Sequence, residues 1–160
     1  MRYYGVKRKI FISFCQRDRQ AVDSFIEKWA NREGVFIPKV LGVSDNDDFI
    51  DSDNPEYVMN KIREKYLMDS TVTIVLIGTC THGRRYVDWE LKSSLRRGSY
   101  TPNGLLGILL PGYNSAHLPP RFEANWNKEN TECYARYKPH PNSVDDLFSW
   151  IEDAYGARTN

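Results

Sequence analysis

The stretch Thr71–Gly78, "TVTIVLIG", decides the fold. It is β-branched and apolar throughout, with no polar alternation, and a glycine closes it. A run of this length and composition reads as a strand buried on both faces, the kind found in parallel sheets covered by helices. Working upstream, "RKIFISF" (Arg8–Phe14) has the same character. Between the two lies "DRQAVDSFIEKWANREG", where Val22, Phe25, Ile26 and Trp29 fall at i, i+3, i+4 and i+7. That spacing makes one helical face, and Gly34 is a natural stop. "VFIPKVL" reads as a further strand, with Pro38 pointing to a sheet edge or a bulge.

Downstream, the loop "TCTHGRR" leads into "RRYVDWELKSSLRRG" (Arg84–Gly98), a short amphipathic helix. "LLGILLPG" (Leu105–Gly112) is another buried strand. A long Pro- and Asn-rich connection then leads to "TECYARY" (Thr131–Tyr137), which alternates like an edge strand. The last helix, "SVDDLFSWIEDAYG", begins with Ser143 and Asp146 at capping spacing and buries Val144, Leu147, Phe148, Ile151 and Tyr155. Between the second strand and Thr71, Asn54 and Pro55 mark a helix start after the acidic loop "SDNDDFIDSDNP" (Ser44–Pro55). Strands alternating with helices predict an α/β sandwich around a mostly parallel sheet. In such a sheet the ligand crevice lies at the carboxyl ends of the strands, at a topological switch point. The segments following Phe14, Leu41 and Gly78 are the places to look.

The 160 residues predict one domain, 1–160, with 41% hydrophobic and 27% charged residues. A net charge of +1 gives no overall field for nucleic acid or an anionic membrane. No apolar run is long enough for a signal peptide or a membrane span. Cys15, Cys80 and Cys133 are odd in number and widely spaced, which argues against a disulfide framework. Together these features predict a cytoplasmic protein. No internal repeat is present.

Several motifs are excluded by their chemistry. "GTCTHGRR" has the glycine spacing of a phosphate loop, but Arg84 and Arg85 occupy the places of the required lysine and hydroxyl residue. A phospho-receiver needs aspartate at the end of the central strand, where this chain has Gly78-Thr79-Cys80. His82, His117 and His140 lack partners at metal-ligand spacing, so no metal site is predicted. No Gly-x-Ser-x-Gly elbow is present for a serine hydrolase.

Glu90 remains. At about 100° per residue, Val87, Leu91 and Leu95 form the buried stripe of its helix, and Glu90 lies about 100° from the stripe's centre. Periodicity thus predicts a carboxylate at the border of core and solvent, early in a helix that starts at the carboxyl edge of the sheet.

Two motifs carry a resemblance. "KRKIFISFCQRD" resembles the first-strand motif of Toll/interleukin-1 receptor (TIR) domains. "RRYVDWELKSSL" resembles their later helix motif, in which an aromatic residue precedes the catalytic glutamate by four positions, here Tyr86 and Glu90. The order of strand "VLIG", Arg-Arg-aromatic and Glu is most similar to the bacterial TIR-like branch known from Thoeris anti-phage defence. The resemblance extends from about Lys9 to the last helix and implies a flavodoxin-like, TIR-like three-layer sandwich with five parallel strands. It also implies cleavage of the nicotinamide–ribose bond of NAD, often with cyclisation to a signalling ADP-ribose isomer. NAD would be a substrate, and no cofactor is expected.

In that chemistry Glu90 is the catalytic carboxylate, and Tyr86 stacks on the nicotinamide ring. Phe14, Cys15, Gln16 and Arg17 form the opposite wall, and Arg17 or Arg84 meets the diphosphate. Many TIR domains have tryptophan where this chain has Tyr86, and the acidic lip at Ser44–Pro55 would repel a diphosphate. The other reading is a non-catalytic TIR-like interaction module acting through self-association or a receptor, with Trp89 as an anchor. A transferase acting on a nucleoside is a third. With no second domain in view, a sensor or effector would be a separate protein.

Overall fold

The structure, a computed structural model, describes residues 7–40, 70–79, 81, 85–95, 102–113, 118–126 and 134–158. Within the helix that carries Glu90, the side chains of residues 85, 86, 89 and 93 are outside that description. The predicted helix after Pro55 and the acidic loop Ser44–Pro55 also lie outside the described residues.

Strand β1 (Arg8–Phe14) leads through a single 3₁₀ turn (Gln16–Asp18) into helix α1 (Arg19–Phe25). The helix widens into a π-helical segment, Ile26–Arg32, and ends before Gly34, whose φ of 69° no β-carbon-bearing residue adopts easily. Then follow β2 (Phe36–Val40), β3 (Val72–Ile77), α2 (Arg85–Leu95), β4 (Gly104–Leu109), α3 (Pro120–Ala124), β5 (Ala135–Lys138) and α4 (Val144–Ala157). The strands form one sheet in the order β2-β1-β3-β4-β5, and every pairing is parallel. Pro38 does sit on an edge strand, opposite Ile10.

Register sorts the side chains into two layers. Ile10, Ile12, Phe14, Ile74, Leu76 and Ile108 join Val22, Phe25 and Trp29 of the first helical segment and Leu147, Ile151 and Ala154 of α4. On the other face Val75, Ile77, Leu105 and Leu109 meet Val87 and Leu91 of α2 and Phe122 of α3. Helices therefore cover both faces, which is why the central strands carry no alternation. The fold is the α/β sandwich expected of a TIR-like or flavodoxin-like chain. No described helix is long and apolar enough to cross a membrane.

Helix α3 was not expected; the Pro- and Asn-rich composition of its region conceals it. Its local signal is Pro120 at the first helical turn, where a missing N–H costs nothing. The helix seats the fully buried Phe122 ring directly on Gly107: a β-carbon there would lie 2.6 Å from Phe122 Cζ. Because the ring is fully buried and Ile77 also crowds the position, Gly107→Ala is expected to cost about 2 kcal/mol by overpacking. The midpoint of urea unfolding checks this, and an unchanged midpoint would refute the close approach. At the last helix, Ser143 caps as its spacing predicted, its Oγ accepting from the Asp146 N–H at 3.1 Å.

Candidate functional site

The chain order places β1 beside both β2 and β3, so the connections leave β1 and β3 in opposite directions. The carboxyl ends of these two strands flank the switch point of the sheet. Ser13 is the penultimate residue of β1, and α2 follows β3 after a short loop. Within that loop Thr81 is fully buried, and its Oγ accepts from the Gly78 N–H at 2.8 Å, closing the turn out of the strand.

Glu90 projects from α2 into this region and is 4% exposed. Periodicity around α2 alone had put it at the solvent border. The correction comes from β1, which lies against that flank of the helix and seals it. The Ser13 hydroxyl donates to Glu90 Oε1 at 2.7 Å in a buried hydrogen bond. Burial pushes the Glu90 carboxyl up to about 8, while the Ser13 hydrogen bond pulls in the opposite direction.

Two acids on one helix are thus treated differently. Asp88 is half-buried and accepts a forked pair of hydrogen bonds from Arg121 of α3, at 2.8 and 3.3 Å. Glu90 is more deeply buried and, among the described residues, has no cation beside it. A buried carboxylate without a countercharge is costly, so a purely structural one is normally paired.

The other predicted site residues divide by face and by description. Phe14 is 8% exposed but packs in the core layer opposite Ser13 and Glu90, with the Arg19 guanidinium 5.5 Å from its ring centroid. Gln16 and Arg17 are exposed on the turn leaving β1, at the carboxyl edge. Tyr86 lies one turn before Glu90 on α2, and its side chain, like that of Trp89, is outside the description. Arg84 lies outside the described residues altogether. Asp18 was not expected. Its carboxyl closes on Gly78, where a β-carbon would stand 2.5 Å from Asp18 Oδ2, and burial raises its pKa.

Cys15 overturns the expectation of no disulfide. It is 1% exposed and disulfide-bonded, to a residue outside the described set. Wide spacing in sequence does not keep cysteines apart when a parallel sheet gathers the ends of distant strands. Its sulfur is therefore not a free thiol at the site. With three cysteines in the chain, one bond leaves one thiol, so titration of the denatured, unreduced protein should find one per chain. A count of three would contradict the bond. Among the described residues no cluster of three His, Cys, Asp or Glu could hold a metal ion.

The sequence model of the family described as Thoeris protein ThsB, TIR-like domain, matches residues 11–115. The chain belongs to this family. The match runs from within β1 to just beyond β4 and so includes Ser13 and Glu90 of this TIR-like domain. Membership ties the domain to Thoeris anti-phage defence. A comparison with curated proteins returned no match.

Proposed function

We propose that this TIR-like domain cleaves the nicotinamide–ribose bond of NAD, with Glu90 as the catalytic carboxylate. The observation that carries this reading is a carboxyl buried at the switch point with a raised pKa and no described cation to balance it. Such a group is suited to a positive charge that arrives with the substrate. NAD brings one on its nicotinamide ring, and that charge passes to the ribose as the bond breaks.

In this reaction the C1′–N bond breaks and its electron pair goes to the nicotinamide nitrogen, which leaves neutral. The ribose carbon acquires oxocarbenium character, as in glycoside hydrolysis. The Glu90 carboxylate stabilises that charge and holds the ribose hydroxyls. Attack by water at C1′, with loss of its proton, gives linear ADP-ribose. Attack by a nucleophile within the same molecule gives a cyclic isomer. Either product would serve as the signal passed to a separate effector protein in Thoeris defence. The exposed Gln16 and Arg17, on the turn at the carboxyl edge of β1, are offered as contacts to the rest of the nucleotide, Arg17 to the diphosphate. Tyr86, one turn before Glu90, is offered as the stacking partner of nicotinamide, and Arg84 as a second diphosphate contact. The test is release of nicotinamide from NAD by the purified protein, followed by mass and chromatographic identification of the remaining nucleotide.

A further inference from the structure

Ser13 of β1 and Thr73 of β3 are fully buried polar residues in strands that are otherwise apolar in their interiors. Each meets a polar residue of α2, and those two residues are one helical turn apart. Ser13 reaches Glu90 at 2.7 Å, and Thr73 Oγ1 reaches Ser94 Oγ at 2.7 Å.

The second contact belongs to a chain whose direction can be read. Ser94 Oγ donates to the Glu90 carbonyl oxygen at 2.9 Å, so the Thr73 hydroxyl is the donor between that pair. Thr73 in turn accepts from Asn103 Nδ2 at 3.2 Å, and the same amide donates to Ser70 Oγ at 2.8 Å. This chain fixes the helix backbone at Glu90. It does not touch the carboxyl group. Only Ser13, among the described residues, does that.

We propose that Ser13 is a positioning residue: its hydroxyl, reaching across from β1, fixes the direction of the Glu90 carboxyl and favours its ionised form. The inference rests on the reading of Glu90 as the reacting carboxylate. Its physical basis is that a hydroxyl donating to a buried carboxylate stabilises the charge that burial opposes. Among the described residues, the charged groups on and around α2 leave that task to Ser13, and Lys92 on α2 itself is exposed. β3 and β4 carry no titratable side chain. On α3, Arg121 is held by Asp88 and Glu123 is exposed. On β1, Arg8 and Lys9 lie at the amino end of the strand, and beyond its carboxyl end Asp18 lies against Gly78.

The test follows Glu90 directly by carboxyl ¹³C NMR on protein labelled at glutamate, with Glu90→Gln assigning the resonance. Nicotinamide release from NAD is measured on the same samples across pH. Ser13→Ala should move the Glu90 titration, and the acid limb of release, upward by about one pH unit, the size of a lost charge-assisted hydrogen bond. Ser13→Thr keeps the hydroxyl and should bring both back toward wild type. An unmoved Glu90 titration in Ser13→Ala overturns the proposal, whatever the activity. A titration that moves while the wild type never cleaves NAD upholds the Ser13–Glu90 coupling and sinks the NAD reading instead.

Discussion

Between about pH 5 and pH 8 the wild-type protein loses stability that Glu90→Gln retains. The native Glu90 carboxyl titrates at about 8, against an ordinary value of 4.5. Throughout that window the folded protein holds a proton that the unfolded chain has released. Stability from this group is therefore fully present below about pH 4.5 and is lost as pH rises through about 8. The full loss is on the order of 5 kcal/mol, since one pH unit is about 1.4 kcal/mol. Glutamine is neutral at every pH and still offers Ser13 an acceptor. Asp18, whose pKa is raised in the same direction, is common to both proteins and drops out of the comparison. Urea unfolding of both at pH 5.5 and 8.5 should show a gap that opens in favour of Glu90→Gln. Parallel pH profiles would mean that Glu90 is ionised in the native state without cost.

The same substitution is expected to lower nicotinamide release by about 10³-fold, the effect of removing one preorganised charge-stabilising group from a water-poor site. Glutamine retains the shape and the Ser13 contact but cannot supply negative charge to the ribose. In the wild type, kcat/KM should climb with pH through about 8, because the free enzyme must give up the Glu90 proton before the carboxylate can act. Steady-state rates from pH 6 to 9.5 test both statements. A flat profile, or Glu90→Gln activity within tenfold of wild type, would show that the charge is not used. Stability and turnover thus move in opposite directions at one residue, the pattern expected where a fold carries a costly group for its chemistry.

The sheet was legible because its strands are apolar on both faces. Buried runs such as "TVTIVLIG" have few other homes than the interior of a covered parallel sheet. Val22, Phe25 and Trp29 could be placed for a similar reason, since their spacing refers only to their own helix. What escaped reading depends on pairs remote in sequence. Glu90 looked like a border residue because a helical wheel contains no β1. Ser13 has apolar neighbours in its own strand, and its partner lies 77 residues away. The Thr73–Ser94 contact that steadies the helix spans 21 residues and follows no local period. Cys15 joins a disulfide that spacing argued against, and α3 hides in a segment whose composition reads as loop. The TIR motifs single out Glu90; the cross-sheet contacts supply the physical reason that it differs from Asp88.

The most direct measurement is nicotinamide release from NAD by concentrated purified protein, with Glu90→Gln measured beside it at pH 8.5. The account predicts release by the wild type and none above background by the variant, with both proteins folded. Equal release by the two would remove Glu90 from the chemistry, and no release by the wild type at any protein concentration would contradict the NAD-cleaving reading itself.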